Sequence, residues 1–260
     1  MKSKPDDARG AARPFLRRVF TVPERVDCCR YPFTIPAFRN GIDLHFEKPV
    51  TIFVGENGSG KSTLLEAIAE LCGFNLEGGN RNHSYSTAQQ GRSELARSLK
   101  LSWMPKTTNG FFMRAESFFN FATYIDGISG GNYKPYGGRS LHEQSHGESF
   151  LALFTNRFDK GLYILDEPEA ALSPQRQLSF LCVVHDLEMS GRAQFLIATH
   201  SPIILAYPDA AVLTLDAESI QPIDYRDTEH FQLMKRFLGD PDLYFKHLFA
   251  EEITNARGDS

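Results

Sequence analysis

The stretch Gly55-Glu56-Asn57-Gly58-Ser59-Gly60-Lys61-Ser62-Thr63 meets the pattern G-x-x-x-x-G-K-[ST] at every fixed position. Such a loop binds phosphate for a physical reason. Several backbone N–H groups must converge on one cluster of oxygens, and glycine lets the chain curl that tightly and approach that closely. Lys61 then reaches the β and γ phosphates as a point charge, and the Ser62 hydroxyl is placed to ligate Mg²⁺. The flanks agree with this reading. Val50–Val54 is a short apolar, β-branched run suited to a buried strand, and Leu64, Leu65, Ile68, Ala69 and Leu71 recur at helical spacing until Gly73. The loop therefore opens a helix, whose free N–H groups and dipole add to the anion site.

With 260 residues, 42% of them hydrophobic, the chain can bury one large core, or one core with a small subdomain, without metals or disulfides. The four cysteines form no C-x-x-C pair and are expected to be reduced. No run approaches a membrane span, and the N-terminus lacks the apolar core of a secretion signal, so the expected location is cytoplasmic. A net charge of −4 argues against a strong general attraction to nucleic acid. The first thirty residues nevertheless hold eight Lys or Arg against four Asp or Glu, and residues 1–18 read as a basic flexible arm.

Beyond the arm, residues 19–260 read as a single α/β domain. Phe33–Ile35 and Ile42–Phe46, with Asn40-Gly41 between them, predict a hairpin leading into the loop strand. Tyr31, Phe33 and Phe38 are candidates to stack on a base, although an aromatic in a hairpin is more often core. Polar, glycine-rich segments at 75–90 and 127–138 predict long loops around a strand at Leu99–Met104 and a helix from Ala115 to Ile125. Together these suggest a small helical insertion over about 75–158, with no heptads for a coiled-coil arm. Gln144-Ser145-His146-Gly147-Glu148 opens a second helix. Gly161–Leu165 then gives an apolar strand ending in Asp166-Glu167-Pro168, a pair of acids that needs cations or protons to justify its burial. Gln194–Thr199 is another buried strand, ending at His200 on the edge where an open α/β sheet holds its ligand. Capped helices near Thr228 and at Asp240-Pro241 close the chain.

The ordered set of phosphate loop, Ser145-His146-Gly147-Glu148, Asp166-Glu167-Pro168 and Thr199-His200-Ser201-Pro202 resembles the ATP-binding cassette class of P-loop ATPases, in particular its compact soluble bacterial members. The resemblance covers roughly residues 30–215. It implies a RecA-like core with an inserted helical subdomain, and a homodimer in which each ATP lies between one subunit's loop and the other's signature turn. By that resemblance Gly55, Asn57, Gly58, Ser59, Gly60, Lys61, Ser62 and Thr63 bind nucleotide, and Ser62 and Asp166 support Mg²⁺. Glu167 polarises the attacking water, Lys61 and His200 contact the γ-phosphate, and Ser145 and Gly147 act on the partner's ATP. Three departures stand out. His146 replaces a glycine of the usual signature, Ala171-Leu172-Ser173 lacks the usual aspartate, and no glutamine ends the strand assigned to the metal, placed at Trp103–Thr107. The expected function is Mg²⁺-dependent ATP hydrolysis with ATP-driven dimerisation acting on an unidentified protein or nucleic-acid partner. The alternatives are the ATP-binding subunit of a membrane transporter and a nucleotide-gated nucleic-acid-binding module.

Overall fold

The computed structural model describes residues 14–76, 92–114, 118–129, 138, 140 and 146–249. Its strands are β1 (Leu16–Thr21), β2 (Asp43–His45), β3 (Val50–Val54), β4 (Leu99–Trp103), β5 (Gly110–Arg114), β6 (Gly161–Asp166), β7 (Ala193–Ala198), β8 (Ala211–Thr214) and β9 (Gln221–Pro222). The helices are α1 (Lys61–Cys72), α2 (Glu94–Ser98), α3 (Phe118–Ser129), α4 (His146–Arg157), α5 (Pro174–Met189), α6 (Pro202–Leu205), α7 (Glu229–Gly239) and α8 (Pro241–Leu248). Six strands form one sheet in the order β5-β6-β7-β3-β8-β9. The first five run parallel and β9 runs antiparallel to β8. Every residue of β3, β6 and β7 is buried, as parallel strands covered on both faces must be, which explains their continuous apolar sequences.

A second, antiparallel sheet has the order β2-β1-β4. It corrects two expectations. Residues 1–13 of the expected basic arm lie outside the described residues, and its end is part of β1: Leu16 and Val19 are fully buried, and Arg18 lies on the strand's exposed side, paired with Asp43 at 2.6 Å. The hairpin expected over 33–46 does not form, because Pro32 and Pro36 interrupt any ladder. That stretch winds through turns instead, with Phe33 N–H donating to the Arg30 carbonyl at 2.8 Å and Phe38 N–H to the Ile35 carbonyl at 3.0 Å. Only its second half, as β2, pairs with β1.

One residue ties the two sheets. Gln194 of β7 is wholly buried, and its amide accepts from Leu16 N–H at 2.8 Å and donates to the Leu16 carbonyl at 3.0 Å. Gln194→Leu leaves both backbone groups buried and unpaired, so it is expected to destabilise the protein by about 2–4 kcal/mol. Urea denaturation checks this, and an unchanged midpoint would show that β1 is held by packing alone.

The insertion expected over about 75–158 is narrower than the sequence suggests. Within it β4 pairs with β1 and β5 with β6, which leaves α3 and α4 as its longer helices among the described residues. Aromatic packing joins α4 to α5 and the residue after α4 to the sheet: Phe154 meets Phe180 edge-on at 5.1 Å, and Phe158 stacks on Tyr163 at 3.9 Å. The chain also divides into two compact units, at Pro222 and Ile223, rather than forming one domain to residue 260. The second unit contains α7 and α8, capped by the Thr228 and Asp240 side chains, with Phe237 edge-on to Tyr244 at 5.5 Å. Among the described residues no helix is long and apolar enough to cross a membrane.

Candidate functional site

Because β5, β6, β7 and β3 are parallel, their carboxyl ends lie on one edge of the sheet. The register brings Arg114, Asp166, Ala198 and Phe53 into one row across the four strands. Just past this row come the phosphate loop from β3, Glu167 from β6 and His200 from β7. Segments far apart in sequence therefore meet at the crevice where open α/β sheets bind ligands.

The loop is shaped by what lies beneath it. Gly60, the N-cap of α1, has φ +102°, and a Cβ there would stand 2.7 Å from Cζ of the fully buried Phe38. Gly55 has φ +150°, and a Cβ there would stand 2.8 Å from Asp216 Oδ1. That same oxygen accepts from Glu56 N–H at 2.7 Å, so a carboxylate beyond β8 braces the start of the loop. Ser59 Oγ is buried with no hydrogen-bond partner among the described residues, an orphan donor of the kind a phosphate oxygen satisfies. The Lys61 ammonium donates to the Gly55 carbonyl at 2.5 Å and the Glu56 carbonyl at 2.9 Å. Burial lowers its pKa from the ordinary lysine value, with Glu167, Asp216 and Asp166 acting in the opposite direction.

Opposite the loop, the Ser62 hydroxyl donates to Asp166 Oδ1 at 3.1 Å. Asp166 is 2% exposed. Burial pushes its pKa up to about 6, while the Ser62 hydrogen bond and Arg114 pull it down. Two hard oxygen donors this close fit Mg²⁺, which takes one or two protein oxygens and keeps water elsewhere. Glu167 sits at φ +50°, ψ +54°, a left-handed conformation that costs a non-glycine residue about 1–3 kcal/mol. Its carboxylate is 43% exposed and lies 3.6 Å from His200 Nε2. The His200 backbone N–H donates to Glu169 Oε1 at 2.6 Å, which pins the end of β7. Burial raises the Glu169 pKa against the effect of that bond.

The structure thus brings together Gly55, Gly60, Lys61, Ser62, Asp166, Glu167 and His200. Asn57 and Gly58 are exposed on the loop's outer turn. Thr63 bonds through its hydroxyl to Tyr31 Oη at 3.0 Å. Gly147 is on the first turn of α4, where a Cβ would stand 2.5 Å from an Arg176 nitrogen. Ser145 lies outside the described residues, as do Gln144, Gln89 and Gln90. Of the three candidate aromatics, Phe33 and Phe38 are sealed in the core at 3% and 0% exposure, whereas Tyr31 is 63% exposed.

One assignment moves. The strand beside the metal carboxylate is β5, not the strand leading to Trp103–Thr107, which belongs to the antiparallel sheet. The residue ending it is Arg114. Sequence reasoning passed over Arg114, Asp216 and Glu169. The Phe111-Phe112-Met113 run after Gly110 was the available signal for β5, and Glu169 stood two residues from an assigned acid. Nothing local marks Asp216.

Parts of the chain are similar to known proteins. A family model described as "AAA domain" matches residues 35–122, and one described as "AAA domain, putative AbiEii toxin, Type IV TA system" matches residues 139–206. The ribose import ATP-binding protein RbsA 2 of Burkholderia ambifaria is 24% identical over 244 residues, covering 79% of this chain and 45% of that protein. The chain thus spans under half the length of that curated relative. Among solved structures, the SMC head domain from Thermotoga maritima aligns at 16% identity over 80% of this chain and 99% of its own, with a TM-score of 0.45. The ADP form of an ATP-binding cassette of an ABC transporter aligns at 18% identity over 90% and 98%, with a TM-score of 0.46. AAA-domain models thus match both the phosphate-loop segment and the segment carrying the paired acids and His200, the two stretches whose ends meet at this sheet edge.

Proposed function

We propose that this protein hydrolyses ATP with Mg²⁺ as cofactor and that two copies close head to tail around the nucleotide. The observation that carries the reading is the meeting of Lys61, Ser62, Asp166, Glu167 and His200 at one sheet edge. In this reading the loop N–H groups and the α1 N-terminus hold the phosphates, and Lys61 neutralises the β and γ oxygens. Ser62 and Asp166 would hold Mg²⁺, which supplies further charge neutralisation at those oxygens when bound. Glu167 accepts a proton from the attacking water, and His200, its ring near that carboxylate, contacts the γ-phosphate. Tyr31, exposed beside Thr63, is the aromatic positioned to cover the base.

In this reading the γ-phosphate is held on one side by its own protomer's loop and covered on the other by a second copy. The turn at Ser145 to Gly147 of a second copy is the proposed cover, with the α4 N-terminus supplying donors. The purified chain is expected to release phosphate from ATP only with Mg²⁺. Ser145→Arg is expected to keep monomeric ATP binding while losing hydrolysis and nucleotide-dependent dimerisation. Mixing Ser145→Arg with Lys61→Ala regenerates one intact composite site per pair and should recover part of the activity. Complete absence of recovery, with both proteins folded, would count against a shared site.

A transport role is the second reading, favoured by the name of the ribose import relative. Copurification with an integral membrane protein would support it over a free-standing ATPase.

A further inference from the structure

Cys28 and Cys29 are both exposed, and they form the corner of a turn. Arg30 N–H donates to the Asp27 carbonyl at 3.0 Å, which makes the two cysteines its central residues. The Asp27 side chain fixes the same corner by accepting from Cys29 N–H at 3.0 Å. The two thiols are in hydrogen-bonding contact, and that contact, followed by the charges of Cys28 and Asp27, raises the Cys29 pKa above the ordinary thiol value. A second turn follows directly, with Phe33 N–H donating to the Arg30 carbonyl at 2.8 Å. Inside it stands Tyr31, whose hydroxyl bonds to Thr63 in the first turn of α1.

We propose that Cys28 and Cys29 form a dithiol site for a trivalent arsenical, and that its occupation withdraws Tyr31 from the nucleotide. The second half rests on the ATP-site reading above. The site follows from reach. Adjacent Cα atoms stand about 3.8 Å apart across a trans peptide, short of the roughly 4.4 Å minimum of ordinary disulfides, so direct bridging of this pair is strained and both thiols stay available. Inserting a third atom removes that strain, because two bonds to it let the sulfurs stand further apart than an S–S bond of about 2.05 Å. Soft sulfur ligands select a thiophilic ion. Sulfurs already in contact suit pyramidal arsenic(III), which takes two thiolates and keeps a hydroxyl or organic group at its third position, whereas a linear two-coordinate ion needs them on opposite sides. A four-coordinate ion is not served, since among the described residues no group of three or more His, Cys, Asp or Glu is placed to hold one. The step balances without a redox partner. Each thiol proton leaves with one arsenic-bound hydroxyl as water, two As–S bonds replace two As–O bonds, and arsenic stays trivalent. The effect reaches the nucleotide along the chain: closing a ring across Cys28 and Cys29 resets the torsions of the first turn, and the turn that carries Tyr31 shares Arg30 with it.

The probe is phenylarsine oxide, whose hydrated form offers two hydroxyls. Intact-mass spectrometry of the phosphine-reduced protein is expected to show one phenylarsenic adduct. It should persist in Cys182→Ser, which removes the other exposed thiol, and be lost in Cys28→Ser and in Cys29→Ser. Serine leaves the backbone hydrogen bonds of the turn in place, so both variants should fold. A dithiol such as 2,3-dimercaptopropanol should release the adduct where a monothiol does not, because the second As–S bond forms at high effective concentration. Calorimetry of a non-hydrolysable ATP analogue is expected to give roughly tenfold weaker binding to the loaded Cys182→Ser protein, the loss of one base–aromatic stack. Cys28→Ser treated with the same reagent should bind the analogue as before. Absence of an adduct, or one that survives either serine substitution in the pair, overturns the site. Parental analogue affinity in the loaded protein overturns the link to Tyr31. If the unloaded protein binds no analogue, the ATP-site reading falls, and the adduct pattern still decides the dithiol site.

Discussion

Glu167→Gln is expected to bind ATP and Mg²⁺ like the parent while its turnover falls by roughly two to four orders of magnitude, the span of a lost general base. The two adjacent acids occupy different surroundings. Asp166 is buried, bonded to Ser62 and faced by Arg114, so it suits a static role toward a cation. Glu167 follows the end of β6 with a left-handed backbone and a half-exposed carboxylate near His200. A strained conformation at an acid beside a phosphate loop points to a required direction for that side chain. Glutamine has the same shape and the same strain, so the substitution removes only the charge and the basicity. Nucleotide binding should survive, and the ATP-bound dimer should become long-lived enough to elute as a dimer in size-exclusion chromatography. If Glu167 merely pairs with His200, the variant will hydrolyse ATP at near the parent rate and no ATP-dependent dimer will accumulate. Either observation on pure protein removes Glu167 from the role of base.

The legible and illegible parts of this chain separate along physical lines. The phosphate loop was legible because its chemistry demands fixed residue types at fixed spacing, and β3, β6 and β7 because strands buried on both faces read as unbroken apolar runs. Helices α7 and α8 were legible from their caps, Thr228 and Asp240. Strand β5 was not. Three apolar residues are too few for periodicity to act on, and the longer strand-like run Leu99–Met104, which contains β4, drew the metal-side assignment to the wrong sheet. The β-like residues Phe33–Ile35 misled in the opposite direction, because their apolar character serves the core under the phosphate loop rather than a ladder. Asp216 and Glu169 share a different cause. Each acts by bracing a backbone N–H belonging to a distant segment, Glu56 in one case and His200 in the other. Such a contact exists only once the strands are ordered side by side.

Lys61→Ala is expected to lower ATP affinity by at least about a hundredfold, equivalent to about 2.8 kcal/mol, without unfolding the protein. The loop keeps its N–H cradle, because Gly55 and Gly60 and the brace from Asp216 are untouched. It loses the only cation it contributes to the β and γ phosphates. Stability should follow a separate sign. Burial lowers the Lys61 pKa, so the unfolded chain holds this proton more tightly than the folded one. The charge therefore opposes folding below the depressed pKa, and that opposition fades as the pH rises through it. Removing the ammonium relieves this cost and forfeits its bonds to the Gly55 and Glu56 carbonyls, two effects that offset each other. The nucleotide-free variant should accordingly melt close to the parent. What it should lack is the rise in Tm that ATP confers on the parent, since a ligand stabilises only a state it binds. Calorimetry and thermal melts with and without nucleotide measure both quantities. A folded Lys61→Ala protein with parental ATP affinity would mean that the triphosphate binds elsewhere, and the assignments of Ser62, Asp166 and Glu167 would have to be abandoned with it.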